Sequence, residues 1–116
     1  MTADLAALAD ELRQFAAERD WEQFHTPKNL AMALAGEVGE LVAELQWLTP
    51  EECQPGQLDD EKHAAVEGEI ADVLIYLVRL ADRLDVDLGD AVAAKMESNR
   101  ARYTIERSYG SADKQP

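Results

Sequence analysis

The stretch Glu69-Ile70-Ala71-Asp72-Val73-Leu74-Ile75-Tyr76-Leu77-Val78 is apolar around much of a helical wheel, yet it carries a carboxylate in its middle. Val66, Ile70, Val73, Leu74, Leu77, Ala81 and Leu84 recur at helical spacing. That pattern predicts a helix from about Asp60 to Leu84 with those side chains facing inward. Asp72 is the sole charged residue between Ile70 and Val78. A carboxylate among apolar neighbours is costly unless an ion or a hydrogen-bonding group compensates it. Glu69 sits three residues earlier on the same side of the helix, and Tyr76 lies one turn further along.

The preceding segment repeats the motif. Thr26-Pro27 has the form of a capping residue followed by proline at the first helical position. Leu30, Leu34, Val38, Leu41, Leu45 and Leu48 then share one arc of a helix that runs to about Trp47. On that helix Glu37 and Glu40 are neighbours, and Glu44 continues their side. Glutamates at helical spacing usually face water. Four carboxylates converging from two helices are different, because they repel one another unless cations offset them. Glu37, Glu40, Glu69 and Asp72 are therefore the candidate metal ligands. An all-oxygen set suits Mg²⁺, with Mn²⁺ as a substitute, and offers no soft ligand for zinc or copper. A di-iron bundle, which draws Glu-x-x-His pairs from facing helices, is disfavoured because His25 falls in a connector and His63 near a helix start. The chain has no glycine-rich phosphate loop, Cys-His pairing or serine elbow.

Elsewhere, Thr2 is placed to cap a first helix in which Leu5, Leu8, Leu12 and Phe15 recur, ending near Arg19. Asp20 to His25 is a connector that carries Trp21 and Phe24. Thr49-Pro50-Glu51-Glu52 reads as a capping box opening a short turn or helix before the polar connector around Pro55-Gly56. A fourth helix begins near Asp87 or Leu88 and carries Ala91, Val92, Lys95, Met96, Asn99 and Tyr103. Strand patterns and internal repeats are absent. The prediction is an all-α chain, with one domain over 1–109 and a loose polar tail over 110–116. Four helices joined by short connections imply a bundle or an interleaved helical oligomer.

Composition narrows the partners. Against 11 Lys and Arg stand 24 Asp and Glu, for a formal charge of -13 in 116 residues. Such a chain repels nucleic acid polymers and anionic membranes. Small anions can bind only where cations or a few basic side chains neutralise the acid locally. The single cysteine, Cys53, fits a reducing compartment, and acidic and basic residues interrupt the first twenty positions. The expected location is cytoplasmic. At 47% hydrophobic residues, so short a helical chain leaves apolar surface for a partner subunit, so self-association is expected.

Several segments together match a known pattern: Glu18-Arg19-Asp20-Trp21-Glu22-Gln23-Phe24-His25, Gly36-Glu37-Val38-Gly39-Glu40-Leu41 with Gln46-Trp47, Asp72 to Leu77, and Lys95-Met96 with Asn99-Arg100 and Arg102-Tyr103. In this order the chain resembles the all-α NTP pyrophosphohydrolases, the MazG-like superfamily, and within it the dCTP pyrophosphatase branch. The resemblance implies hydrolysis of a nucleoside triphosphate to its monophosphate and pyrophosphate, with magnesium on Glu37, Glu40, Glu69 and Asp72. It also implies a homodimer or homotetramer. Aromatic residues matching Trp21 and Trp47 would form the deoxycytidine pocket, with Tyr76 and Asn99 nearby, and His25 and Lys95 occupy further motif positions. Gly68 departs from the pattern, since relatives commonly carry another acid just before the third ligand.

The chemistry expected of such a site is attack of water at the α-phosphorus, with Glu37 or Glu40 positioning the water and no covalent enzyme intermediate. Trp47 follows Glu40 by seven residues, close to the same helix face and about 10 Å along the axis, where a base can stack. Lys95, Asn99 and Arg102 fall at i, i+4 and i+7, a polar face suited to phosphates. Two other outcomes compete: a dUTP or broad-specificity hydrolase, and a non-catalytic helical nucleotide-binding or oligomerisation module.

Overall fold

Asp4, Thr26, Asp59, Asp87 and Thr104 each place a side-chain oxygen on a backbone N–H of the following turn, and these caps set where the helices begin. The computed structural model describes residues 4–116. It contains α1 (Leu5–Glu18), α2 (Pro27–Leu45), α3 (Asp60–Arg83), α4 (Leu88–Arg102) and the short α5 (Ile105–Ser108). Among the described residues the fold is all-helical. None of the described helices is long and apolar enough to cross a membrane.

The boundaries follow the expected signals with a few differences. Asp4 caps α1, whereas Thr2 lies outside the described residues. Helix α2 stops at Leu45, leaving Trp47 in a turn beyond it. The Thr49 capping box forms in both directions: Thr49 N–H donates to Glu52 Oε1 at 2.9 Å, and Glu52 N–H donates to Thr49 Oγ1 at 3.2 Å. Of the turn and the short helix expected there, the turn forms: Pro55-Gly56 lies only a few residues on, and Gly56 takes a positive φ of 81°.

Helix α1 ends in a left-handed residue, Asp20 at φ 54°. Asp20 N–H donates to the Ala17 carbonyl and Trp21 N–H returns to the Ala16 carbonyl at 2.9 Å. This paired C-terminal closure turns the chain sharply and fixes where Trp21 leaves the helix. Helix α3 closes in a related way, with Leu84 as cap and Asp85 at φ 54°.

The chain divides into two compact units, one reaching to Asp85 and one from Val86 to Pro116. In the first, α3 packs along α2 and, less extensively, against α1. Ala16, Leu30, Val78 and Ala81 are buried between them, and Leu30 and Val78 are the largest fully buried side chains. Several residues expected inside are exposed: Phe15, Val38, Ile70, Leu74, Leu77 and Leu84, with Ile70 at 54%. The physical reason is geometric. The apolar arcs of α2 and α3 are wider than one helix contact, so part of each is left uncovered.

In the second unit, Arg107 ties α5 to the end of α4, donating to Thr104 Oγ1 and to the carbonyls of Ala101 and Arg102. Arg102 in turn donates through Nε to the Gln115 carbonyl, holding the non-helical tail. No residue of α4 is buried. The four-helix packing expected from the sequence is therefore seen for three helices within one unit.

Candidate metal centre

Each carboxylate of the candidate site occupies a helix whose ends are fixed by its own caps. Thr26 and Pro27 start α2 ten residues before Glu37, and Asp59 starts α3 ten residues before Glu69. Because α2 and α3 are each other's principal neighbours, the two acidic pairs meet across that contact. Glu37, Glu40 and Glu69 each offer an oxygen such that all three lie within 4.8 Å of one another. Asp72, the fourth expected ligand, stands outside that tight set. Its charge nevertheless reaches both Glu37 and Glu69.

The electrostatics are those of a site lacking positive charge. Glu37 Oε2 and Glu69 Oε2 are buried without hydrogen-bond partners. Desolvation, then the charges of Glu40 and Asp72, push the Glu37 carboxyl up to about 7. Glu69 is raised too, by desolvation first and the Glu40 charge second. Glu44 continues the row on α2 but is answered by Lys62, whose Nζ donates at 2.9 Å, so it stands apart from the cluster. Orphaned buried oxygens, mutual repulsion and an all-oxygen donor set fit a hard divalent cation.

The residues expected around the nucleotide are distributed over both units. Trp47 is 86% exposed just past the end of α2, a ring with its faces free. Trp21 packs edge-on against Phe15, centroids 5.7 Å apart, and against His25 at 6.0 Å. Tyr76 is half-buried one turn beyond Asp72. In the second unit Lys95 is exposed and Asn99 is half-buried on α4, while the Arg102 guanidinium is engaged by Gln115 and lies 5.2 Å from the Tyr103 ring centroid. Gly68 is exposed on α3, with nothing within 4 Å of where a side chain would begin.

One constellation was not anticipated from the sequence. Arg79, only 2% exposed, donates through Nε to His25 Nδ1 at 3.2 Å and through Nη1 to Asp82 at 3.1 Å. Asp82 also receives Arg13 through two bonds, of 3.1 and 2.6 Å. The signal available was an arginine inside the apolar face of a helix, at the spacing of Val78 and Ala81. Asp82 lies three residues along the same helix, but His25 in the connector and Arg13 on α1 are too distant in sequence to be read from spacing.

The comparisons with known proteins point in one direction. Over 101 residues the chain is 54% identical to dCTP pyrophosphatase 1 of Bos taurus and 52% identical to dCTP pyrophosphatase 1 of Homo sapiens. These alignments cover 87% of this chain but only 60% and 59% of those proteins, so it spans about three fifths of their length. The crystal structure of a pyrophosphatase from Archaeoglobus fulgidus DSM 4304 superposes with a TM-score of 0.78 at 39% identity, covering 90% of this chain and 95% of that one. Residues 33–115 match the MazG-like family, a span that takes in all four acidic residues of the candidate site, and the chain belongs to that family.

Proposed function

We propose that this chain is a magnesium-dependent nucleoside triphosphate pyrophosphohydrolase that converts dCTP, and modified dCTP, to the monophosphate and pyrophosphate. The observation that carries the reading is the Glu37, Glu40 and Glu69 cluster, with its two buried, unpartnered oxygens, in a MazG-like chain similar to dCTP pyrophosphatases. Glu37, Glu40 and Glu69 hold the cation, with Asp72 as the fourth acidic group. A divalent ion there supplies Lewis acidity and offsets the charge of the triphosphate.

In the reaction the oxygen of water attacks the α-phosphorus, the bond from that phosphorus to its bridging oxygen breaks, and pyrophosphate leaves with the electron pair. Glu37 or Glu40 orients the water and accepts its proton. Trp47 and Trp21 offer aromatic surface to the base, and Tyr76 a hydroxyl beside it. Lys95, Asn99 and Arg102 supply donors for phosphate oxygens, Arg102 after release from Gln115.

Self-association is part of the reading. Val38 and Val42 on α2, and Ile70, Leu74 and Leu77 on α3, are exposed apolar residues on the two helices that carry the acids. A second copy covering them would make a homodimer, or a homotetramer by repetition, and complete the helical bundle. The lone Cys53 and the acidic surface suit the cytoplasm.

The test is to incubate the purified protein with each common dNTP and NTP, with and without Mg²⁺, and to resolve the products by ion-exchange chromatography. Monophosphate plus pyrophosphate, fastest from dCTP and only with Mg²⁺, is expected. Diphosphate plus orthophosphate would refute the reaction, and faster turnover of dUTP would reassign the base. Complete inactivity towards all of them would leave a binding module.

A further inference from the structure

His25 offers two ring nitrogens, and the structure commits one of them. Arginine has donors only, so the Arg79 Nε–H at 3.2 Å from Nδ1 requires a lone pair there. A neutral imidazole with Nδ1 unprotonated carries its hydrogen on Nε2. We propose that Arg79 is a positioning residue that fixes His25 as its Nε2–H tautomer, making His25 a hydrogen-bond donor to an oxygen of the bound nucleotide and excluding it as a base. The nucleotide half of this proposal rests on the function proposed above, whereas the tautomer does not.

Three further observations support it. Burying a guanidinium is expensive, and this one is not fully satisfied, since Arg79 Nη2 is buried without a partner. Asp82, already taken by Arg13, meets only Nη1, so the Nε bond to an uncharged imidazole is a choice of partner that stability alone does not favour. The charges around the ring also agree. Burial first, and then the charges of Arg79 and Arg83 of α3, oppose protonation, whereas Glu22 of the same connector favours it, so the His25 pKa lies below its ordinary value. Finally, the ring is held on several sides. The backbone N–H of His25 donates to the Trp21 carbonyl at 3.1 Å, fixing the main chain, and the Trp21 indole packs edge-on against the imidazole. The lone pair used by Arg79 is unavailable to a water, so proton acceptance falls to the carboxylates.

The experiment uses the full chain labelled with ¹⁵N, with His63→Gln to assign the two histidines, and long-range ¹H–¹⁵N spectra recorded from pH 5 to 8. Nδ1 of His25 should resonate as an unprotonated nitrogen and Nε2 as a protonated one, with a midpoint below the ordinary histidine value. Arg79→Met should give mixed tautomers, an upward-shifted titration, and a KM for dCTP about tenfold higher with kcat within about twofold, roughly the loss of one hydrogen bond. Arg79→Lys, which also only donates, should restore the tautomer in part. Adding dCMP and, separately, inorganic pyrophosphate shows whether the Nε2 signal answers to the nucleoside end or to phosphate.

A protonated Nδ1 in the wild type, or an Arg79→Met chain with unchanged tautomer and unchanged KM, would overturn the proposal. Should Arg79→Met fail to fold, the wild-type spectrum decides the tautomer and the His25→Phe KM decides the donor role, an unchanged KM counting against it. A wild type with the expected tautomer but no hydrolysis of any nucleoside triphosphate would refute the proposed function while leaving the tautomer assignment standing.

Discussion

Between α2 and α3, the charges acting on Glu37 come from Glu40, Asp72 and Glu69, and all are negative. A few turns along the same α3, Asp82 meets Arg13 and Arg79. One cluster drives its carboxyls upward in pKa, whereas the other holds its carboxyl below the ordinary range, chiefly through the Arg13 hydrogen bonds. Both place charge where water is scarce. Like charges gathered without an answer are unfavourable for the isolated chain and become favourable when a cation arrives. Opposite charges gathered together offset one another without a cation. The contrast separates a candidate cation site from a self-contained ion-pair network.

The comparison can be broken most decisively at Glu40. Replacing it with Gln keeps the shape and removes a ligand charge, so turnover of dCTP should fall at least about a hundredfold, beyond what loss of an outer-shell partner costs. Full activity in this variant, read by pyrophosphate release, would remove Glu40 from the centre. At the other cluster the effect should fall on stability. Asp82→Ala leaves Arg79, almost wholly buried, without its carboxylate and should cost about 3 kcal/mol in urea unfolding. A loss below about 1 kcal/mol would mean that the network is ornamental.

The two clusters should also respond oppositely to pH. The folded pKa of Glu37 lies above its unfolded value, so without divalent cation its contribution favours folding at low pH and is lost as pH rises through about 7. Asp82 has a folded pKa below its unfolded value, so its contribution is present above the ordinary Asp range and disappears as pH falls through the folded pKa. Melts in EDTA should accordingly show Glu37→Gln gaining on the wild type as pH rises from 5 to 8, while the Asp82→Ala deficit stays level over that range and shrinks only as pH falls below the ordinary Asp range. Parallel curves for both variants would contradict the distinction. The smallest expected effect is at Gly68, an exposed mid-helix glycine with open space around it. Gly68→Ala should stabilise by about 1 kcal/mol from helix propensity, leaving dCTP turnover unchanged.

Much of this was legible before the structure because it is local. The spacing of Glu37 to Glu40 and of Glu69 to Asp72 is a property of one helix each, and Thr26-Pro27 marks a helix start wherever it occurs. Periodicity likewise identified the apolar arcs of α2 and α3. It could not say what covers them, and Ile70, Leu74 and Leu77 lie exposed although they share a pattern with buried Ala81. A burial pattern records that an apolar face needs a partner, and both core and subunit interface satisfy that need. Asp72 illustrates a second limit: its apolar surroundings flagged it, yet the tight triad of oxygens excludes it by distance. The Arg13 to Asp82 pair spans the length of the first unit, and nothing in either local sequence signals the other.

The most direct test of the account is a calorimetric titration of Mg²⁺ into the metal-free protein at pH 7.5, with Glu37→Gln and Asp82→Asn alongside. The account predicts saturable binding with proton uptake by the buffer in the wild type, binding preserved in folded Asp82→Asn, and binding abolished or weakened more than tenfold in Glu37→Gln. Equal Mg²⁺ affinity in the wild type and Glu37→Gln would contradict it.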